Sequence, residues 1–246
     1  MTPRAMADYN PPGPVNFATT HWSVVKNAHG SGEGAKRALS TLCKAYWYPL
    51  YFHVRRRGYS AQDAQDLTQD FFANLFTKGW LDRVAPGHGK FRSWLLAAMN
   101  HFLCNAWDRE RSIKRGGQVK FISMDELQAE KRFHQEPASA DSPELAYDRA
   151  WALTLLERVM ARMRAEFASA GKLTLFETIK GTLTGDAPTQ ASMAESLGTT
   201  EGAVKVAVHR LRERFRTTIR EEIAETVSSN EEVEEEMRHL REVLFA

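Results

Sequence analysis

Two cysteines in 246 residues, Cys43 and Cys104, are too few for a disulfide framework, and a reducing cytoplasm suits them. No apolar run approaches the roughly 20 residues that span a bilayer, so no membrane partner is expected. The N-terminal MTPRAMADYNPPGPVNF has no apolar core segment and reads as no secretory signal. Its prolines and small residues read instead as a disordered lead over residues 1–20. No run alternates with the period of a strand, and no segment repeats. There is no large charge excess either: 26% of residues are charged, 43% are hydrophobic and the net charge is +2, as in a soluble folded chain.

The small net charge hides an asymmetry. From Glu221 to the end there are nine Glu and two Arg, a net of −7, which leaves +9 on the first 220 residues. A basic body with an acidic tail points to an anionic partner, and nucleic acid is the commonest.

Nearly every strong segment has helical period. Residues 35–57 carry Leu39, Leu42, Tyr46, Leu50 and Val54 in phase, with Pro49 inside and Gly58 at the end. Ser60 caps a second helix, with Asp63 three residues on as an acidic variant of the capping box. That helix buries Ala64, Leu67, Phe71, Leu75 and Phe76 and closes at Gly79. A third helix runs from about Phe91 to Arg111. Residues 116–145 hold Gly, Pro and Ser with short apolar pieces and read as a linker, with one short docked helix over FISMDELQ. Helices follow around Leu145–Phe167 and Leu173–Leu183. In the tail, Val233, Met237, Leu240 and Leu244 fall in helical phase.

Residues 189–216 carry the clearest motif. Thr189 is an N-cap; Ala191, Met193, Ala194 and Leu197 give a short helix its apolar side. Gly198 stands where a helix ends with positive φ, and Thr199 or Thr200 caps the next helix. A short helix, a glycine turn and a longer helix make a helix-turn-helix, whose second helix enters the major groove of DNA. Its buried stripe is Val204, Val208, Leu211, Phe215 and Ile219. Its other faces carry Lys205, His209, Arg210, Arg212, Arg214 and Arg216 against Glu201 and Glu213. The N-terminal residues Glu201, Gly202, Lys205, Val206 and His209 are the candidates nearest the bases, and the later arginines are phosphate contacts. An ordinary amphipathic core helix would show the same periodicity; the glycine turn and the arginine excess favour DNA.

The helix from Ser60 sets Asp63, Asp66, Gln69 and Asp70 on or near its exposed side. Such carboxylates can hold a divalent metal, cap a helix dipole, or form a docking face for a basic protein. The helix from Phe91 mixes Phe91, Trp94, Phe102 and Trp107 with Arg92, Asn100, His101, Arg109, Arg111, Lys114 and Arg115. Rings interleaved with cations suit single-stranded nucleic acid, although rings at helical spacing also make a core. His101 and Cys104 lack a second ligand pair, so a packed His and a buried Cys are expected rather than a metal site.

Taken in order, AQDLTQDFF, FRSWL with its basic helix end, the linker, and LGTTEGAVKVAVHRLR resemble the two-domain bacterial sigma factors of the extracytoplasmic-function type, over about residues 20–220. The resemblance implies an all-α chain of two small helical domains: a region 2-like bundle over 21–115 and a region 4-like domain over 146–220. These are joined by the linker 116–145 and followed by an acidic helical tail over 221–246. It implies a transcription initiation factor that binds core RNA polymerase and promoter DNA, needs no cofactor and has no catalytic group of its own. Asp63, Asp66, Gln69, Asp70 and Phe71 become polymerase contacts. Arg92, Trp94, Asn100, His101, Arg109, Arg111, Lys114 and Arg115, with Phe91 beside them, become contacts to the melted minus-ten strand. Glu201, Lys205, His209, Arg210 and Arg212 become contacts to the minus-thirty-five element, and an anti-sigma factor is a further candidate partner. The chain departs from the family pattern with Val206-Ala207 in place of a polar pair after Lys205, and with His101-Phe102 in place of Asn-Leu.

Two rivals come from other classes. A stand-alone helix-turn-helix regulator explains the second domain but leaves the acidic helix unassigned. A metal-dependent enzyme on Asp63, Asp66 and Asp70 lacks a second ligand cluster. For the tail, periodicity allows either packing onto the second domain or screening of its basic helix.

Overall fold

The computed structural model describes residues 33–78, 80, 90–110, 126–135, 142–225, 227 and 229–245. Among them every regular element is helical and no strand occurs. The helices are α1 (Glu33–Arg56), α2 (Ala61–Thr77), α3 (Phe91–Glu110), α4 (Glu126–Gln135), α5 (Pro143–Ser169), α6 (Leu173–Ile179), α7 (Gln190–Ser196), α8 (Glu201–Ala224) and α9 (Asn230–Phe245), with a 3-10 turn at Lys180–Leu183. The lead over 1–20, the loop after Gly79, the basic residues Arg111, Lys114 and Arg115, and most of the linker lie outside the described residues.

The chain divides into two compact units, residues 1–154 with 224–246, and residues 155–223. The division falls inside α5, at Thr154, rather than in the stretch 116–145. α4 belongs to the first unit, and so does the C-terminal helix.

Unit 1 is built on aromatic residues. Tyr46, Leu50, Val54, Phe71, Leu75, Phe91, Leu95 and Met99 are all almost fully buried. Phe71 meets Phe102 edge-on at 5.7 Å and Tyr46 meets Phe91 likewise at 5.4 Å, the geometry aromatic quadrupoles favour. Ser60 starts α2 as expected. Its Oγ accepts from the Asp63 amide at 3.1 Å and donates to the Asp63 carboxylate at 2.6 Å. α1 runs through Pro49 without interruption to Arg56, and the chain turns away at Gly58, whose φ is +94°.

α4 begins at Glu126 and so shares only the last three residues of FISMDELQ, whose residues 121–125 lie outside the described residues, and specific chemistry docks it on α1. Glu130 accepts from Arg55 at 2.6 and 3.2 Å and from the Tyr51 hydroxyl. Phe133 packs on Phe52 at 5.3 Å, and Arg132 lies 3.8 Å over Tyr48. Burial alone would raise the Glu130 pKa; the hydrogen bonds from Arg55 and Tyr51 outweigh it and hold the carboxyl below its ordinary value.

α9 also closes on unit 1. Val233 and Leu240 are buried, while Glu236 reaches Arg92 of α3, and His239 lies 3.3 Å from Asp148 of α5 and packs on Trp151. Periodicity had offered α9 to the second domain. Its contacts go to unit 1 because a buried arginine on α3 requires a counter-charge.

Unit 2 holds the C-terminal half of α5 and α6 to α8. Val159, Met163, Phe176, Ile179, Met193, Val204, Leu211 and Ile219 form its core. Ion pairs fasten α5 to α8: Arg158 to Glu222 at 2.7 Å, Arg162 to Glu221 and Glu222, and Arg214 to Glu166. Glu221 and Glu222, the first acids of the tail by sequence, are thus part of α8 and of this network.

Candidate nucleic-acid interface

The helix-turn-helix forms by local rules. Thr189 caps α7 by accepting from the Ser192 amide at 3.3 Å. Past the helix end the Thr199 amide bonds back to Ala194 O at 2.9 Å and the Gly198 amide to Glu195 O at 3.1 Å. Those two bonds are the Schellman pattern, which requires positive φ at its glycine, and Gly198 has φ +60°. Thr200 then caps α8, accepting from the Ala203 amide at 3.2 Å. Met193 and Ala194 of α7, with Val204 and Leu211 of α8, turn inward.

The rest of α8 sorts its cations. Arg214 grips Glu166 with Nη2 at 2.6 Å and Nε at 2.8 Å and reaches Glu221 at 3.2 Å. These bonds, Glu166 first, push its pKa above the ordinary arginine value. Arg216 pairs with Glu213 at 2.9 Å, and Arg212 donates to Thr182 O at 3.2 Å. Lys205, His209 and Arg210 are exposed and have no hydrogen-bond or ion-pair partner among the described residues. Glu201 and Gly202 are exposed beside them, and Val206 is 51% exposed, unusual for a large apolar side chain. The N-terminal half of α8 therefore carries cations open to a ligand, while much of the C-terminal half is occupied holding unit 2 together. A cleft of about 310 Å³ adjoins it, floored by Phe167, Leu175 and Ala207 and rimmed by Lys172 and Arg210.

In unit 1 the expected residues separate into exposed and buried sets. Asp63, Asp66 and Asp70 are exposed along α2 and Gln69 is half-buried, while Phe71 is wholly buried. The Asp63 carboxylate is engaged by Ser60, and Asp66 accepts from Gln62 at 3.2 Å. On α3, His101 is exposed, and so are Ser93 and Cys104, which lie on one face with it. Cys104 is thus a free, exposed thiol where burial was expected. Trp94 is buried and stacked on Phe91 at 5.7 Å, and Arg92 is 7% exposed. Asn100 is half-buried against His53. Arg109 lies on α3 near its C-terminal end. Among the described residues no group of three or more His, Cys, Asp or Glu is placed to hold a metal ion, and no helix is long and apolar enough to cross a membrane.

No family model, no curated protein and no solved structure matches the chain.

Three features escape sequence reading. His53 on α1 is fully buried, with Nε2 2.7 Å from Asn100 Oδ1 and Nδ1 2.9 Å from Pro143 O, so it joins α1, α3 and the start of α5. Arg92 meets Asp148 and Glu236, residues far along the chain. Glu130 organises the α1–α4 contact. Only Arg92 leaves a signal. It sits within α3's run of apolar residues on all sides, where an arginine demands a buried partner.

Proposed function

We propose that the chain is a sigma-type transcription initiation factor: it binds core RNA polymerase through unit 1 and directs it to promoter DNA read by unit 2. The observation that carries this reading is the N-terminal half of α8. A helix-turn-helix offers Lys205, His209 and Arg210, exposed and without a hydrogen-bond or ion-pair partner among the described residues, around an exposed Val206. Cations there meet phosphates and base edges, and a valine can touch a thymine methyl in the major groove. The exposed acids of α2 supply a second, oppositely charged face suited to a basic partner protein. Asp66 is its central member, with Asp63 and Asp70 at either side. Phe71 and Trp94 act from inside, fixing α2 and α3 rather than touching a partner. His101, exposed on α3, is the contact offered to the melted strand, and the cations Arg109, Arg111, Lys114 and Arg115 follow it in the sequence. The protein needs no catalytic group or cofactor, because the polymerase performs the chemistry.

The experiment is binding to bacterial core RNA polymerase, wild type beside Asp66→Arg, followed by in vitro transcription from a promoter selected with the purified protein. Tight binding lost in the variant supports the reading. Absence of polymerase binding alongside a palindromic footprint by the free protein would instead identify a stand-alone regulator.

A further inference from the structure

A cleft of about 310 Å³ opens in unit 2 between the end of α5, α6 and one face of α8. Phe167, Leu175 and Ala207 form its floor, and the fold itself leaves each of them only half-buried. The floor is firm, because the Phe167 ring packs 5.2 Å from that of Phe176, which is buried. Glu166 is the one acid among the lining residues, and its charge is already matched. Arg214 grips it at 2.6 and 2.8 Å, and Arg162 reaches it at 3.3 Å. Those bonds, Arg214 first, hold the Glu166 carboxyl below its ordinary pKa, so it stays an anion committed to them. Lys172 and Arg210 at the rim are exposed and have no hydrogen-bond or ion-pair partner among the described residues.

We infer that this cleft is a binding site for a small amphipathic carboxylate, an apolar body with one acid group, and that the bound acid competes with DNA for Arg210. The volume stands at the small end of ligand sites, whose usual make-up is a mostly apolar lining with a few charged groups that fix orientation. A neutral apolar molecule would cover Lys172 and Arg210 without satisfying them, and a bare phosphate would leave the floor wet. A carboxylate on an apolar body meets both needs, since arginine pairs with it through two parallel N–H bonds. Arg210 stands at the border of two surfaces. It is three residues from Ala207 in the floor and four from Val206 on the exposed face, so it neighbours both on the helix. An acid that draws Arg210 over the cleft takes one cation from the exposed face. The binding site stands on the geometry of unit 2 alone; the competition rests on the reading of α8 as the DNA-facing helix.

The test titrates the full chain with cinnamate and with its neutral isostere cinnamamide, at matched ionic strength, and follows the backbone N–H chemical shifts of Ala170, Leu175 and Ala207. Cinnamate should give saturable shifts there and bind about fivefold more tightly than cinnamamide, the effect of roughly one ion pair. Lys172→Gln and Arg210→Gln should each narrow that difference while leaving the affinity for cinnamamide unchanged. Ala207→Leu fills the floor and should weaken both ligands; thermal melts check that it folds, and if it does not, the two surface variants still decide. Saturating cinnamate should weaken binding of a short duplex DNA at low salt by up to about fivefold, an effect absent in Arg210→Gln. No saturable shifts at the cleft, or equal affinity for acid and neutral isostere, overturns the site. A wild type that binds cinnamate and duplex without either affecting the other overturns the competition. A wild type that binds cinnamate but no duplex supports the cleft and tells against the reading of α8.

Discussion

His53 Nε2 lies 2.7 Å from Asn100 Oδ1, deep in unit 1, while Nδ1 lies 2.9 Å from Pro143 O. A neutral imidazole donates from one nitrogen only. Burial, the largest influence, holds the His53 pKa below its ordinary 6.5, so the ring is neutral at pH 7. It then donates to Pro143 O and accepts from Asn100, whose amide presents its NH2 by a half-turn. The folded pKa lies below the unfolded one, so this stability is complete above about pH 6.5 and is lost as the pH falls through that value toward the folded pKa. Melting temperature should fall from pH 7 to pH 5, and His53→Gln should flatten that part of the profile. Asn100→Asp supplies an acceptor only, draws a proton onto the ring, and should move the loss of stability in the opposite direction along the pH axis. An unchanged profile in Asn100→Asp would refute the assignment.

The cations of α8 should divide into two kinds. Arg214 is committed to Glu166 and Glu221, so Arg214→Ala should lower unit 2 stability by about 1 kcal/mol, the range of partly exposed pairs. Its effect on DNA binding should follow from that loss alone. Arg210→Ala removes an exposed cation that has no ion-pair partner among the described residues. Stability should stay within about 0.5 kcal/mol, while the slope of log binding constant against log salt should fall by about one contact. Salt-dependent titrations beside urea melts distinguish the two. Equal loss of salt slope in both variants would contradict the division.

How much of this was legible in the sequence depends on the range of the interaction. The helices, the Ser60 and Thr189 caps, the end at Gly58 and the turn at Gly198 follow from residues within one helical turn of each other, and periodicity and cap chemistry read them directly. The exposure of Lys205, His209 and Arg210 also follows from the phase of Val204 and Leu211. His53 with Asn100, Glu130 with Arg55, and Arg92 with Glu236 link residues far apart, and nothing in the flanking sequence names the partner. For the same reason the sequence places α9 by its own stripe of Val233 and Leu240 but not by the unit it joins. The burial of Trp94 and Phe71 was ambiguous for another reason: an aromatic residue at helical spacing looks the same in a core and on a stacking surface.

Arg92 is held by two carboxylates, Asp148 and Glu236, and lies 4.8 Å over the Trp151 ring. Arg92→Met takes the guanidinium from a buried Glu236 and a half-buried Asp148, which keep Lys90 and His239 beside them, so the cost should stay at or below about 3 kcal/mol, the low end for breaking a buried pair. Glu236→Gln removes one of two counter-charges and should cost much less. Denaturant melts should rank wild type, Glu236→Gln and Arg92→Met in that order of stability. Arg92→Lys should fall between the last two, because an ammonium cannot serve both carboxylates in the guanidinium's planar geometry. Wild-type stability in Arg92→Met would show that the cluster contributes no net stability.

Gly198 and Gly202 stand four residues apart and should respond oppositely to alanine. At Gly198 a new Cβ would meet nothing within 4 Å, so the cost is conformational: φ of +60° disfavours an L side chain by roughly 1 kcal/mol. Gly198→Asn should recover part of it, since asparagine tolerates that region. Gly202 is helical, and a Cβ there would make only an ordinary contact, 3.9 Å from Thr200 Oγ1. Gly202→Ala should therefore stabilise α8 by up to about 1 kcal/mol through helix propensity. If DNA approaches the start of α8, that added methyl stands between backbone and bases. Gly202→Ala should then bind promoter DNA more weakly while melting higher, a combination that a purely structural helix would not give. Stronger melting with unchanged DNA binding would move the protein–DNA contact away from the first turn of α8.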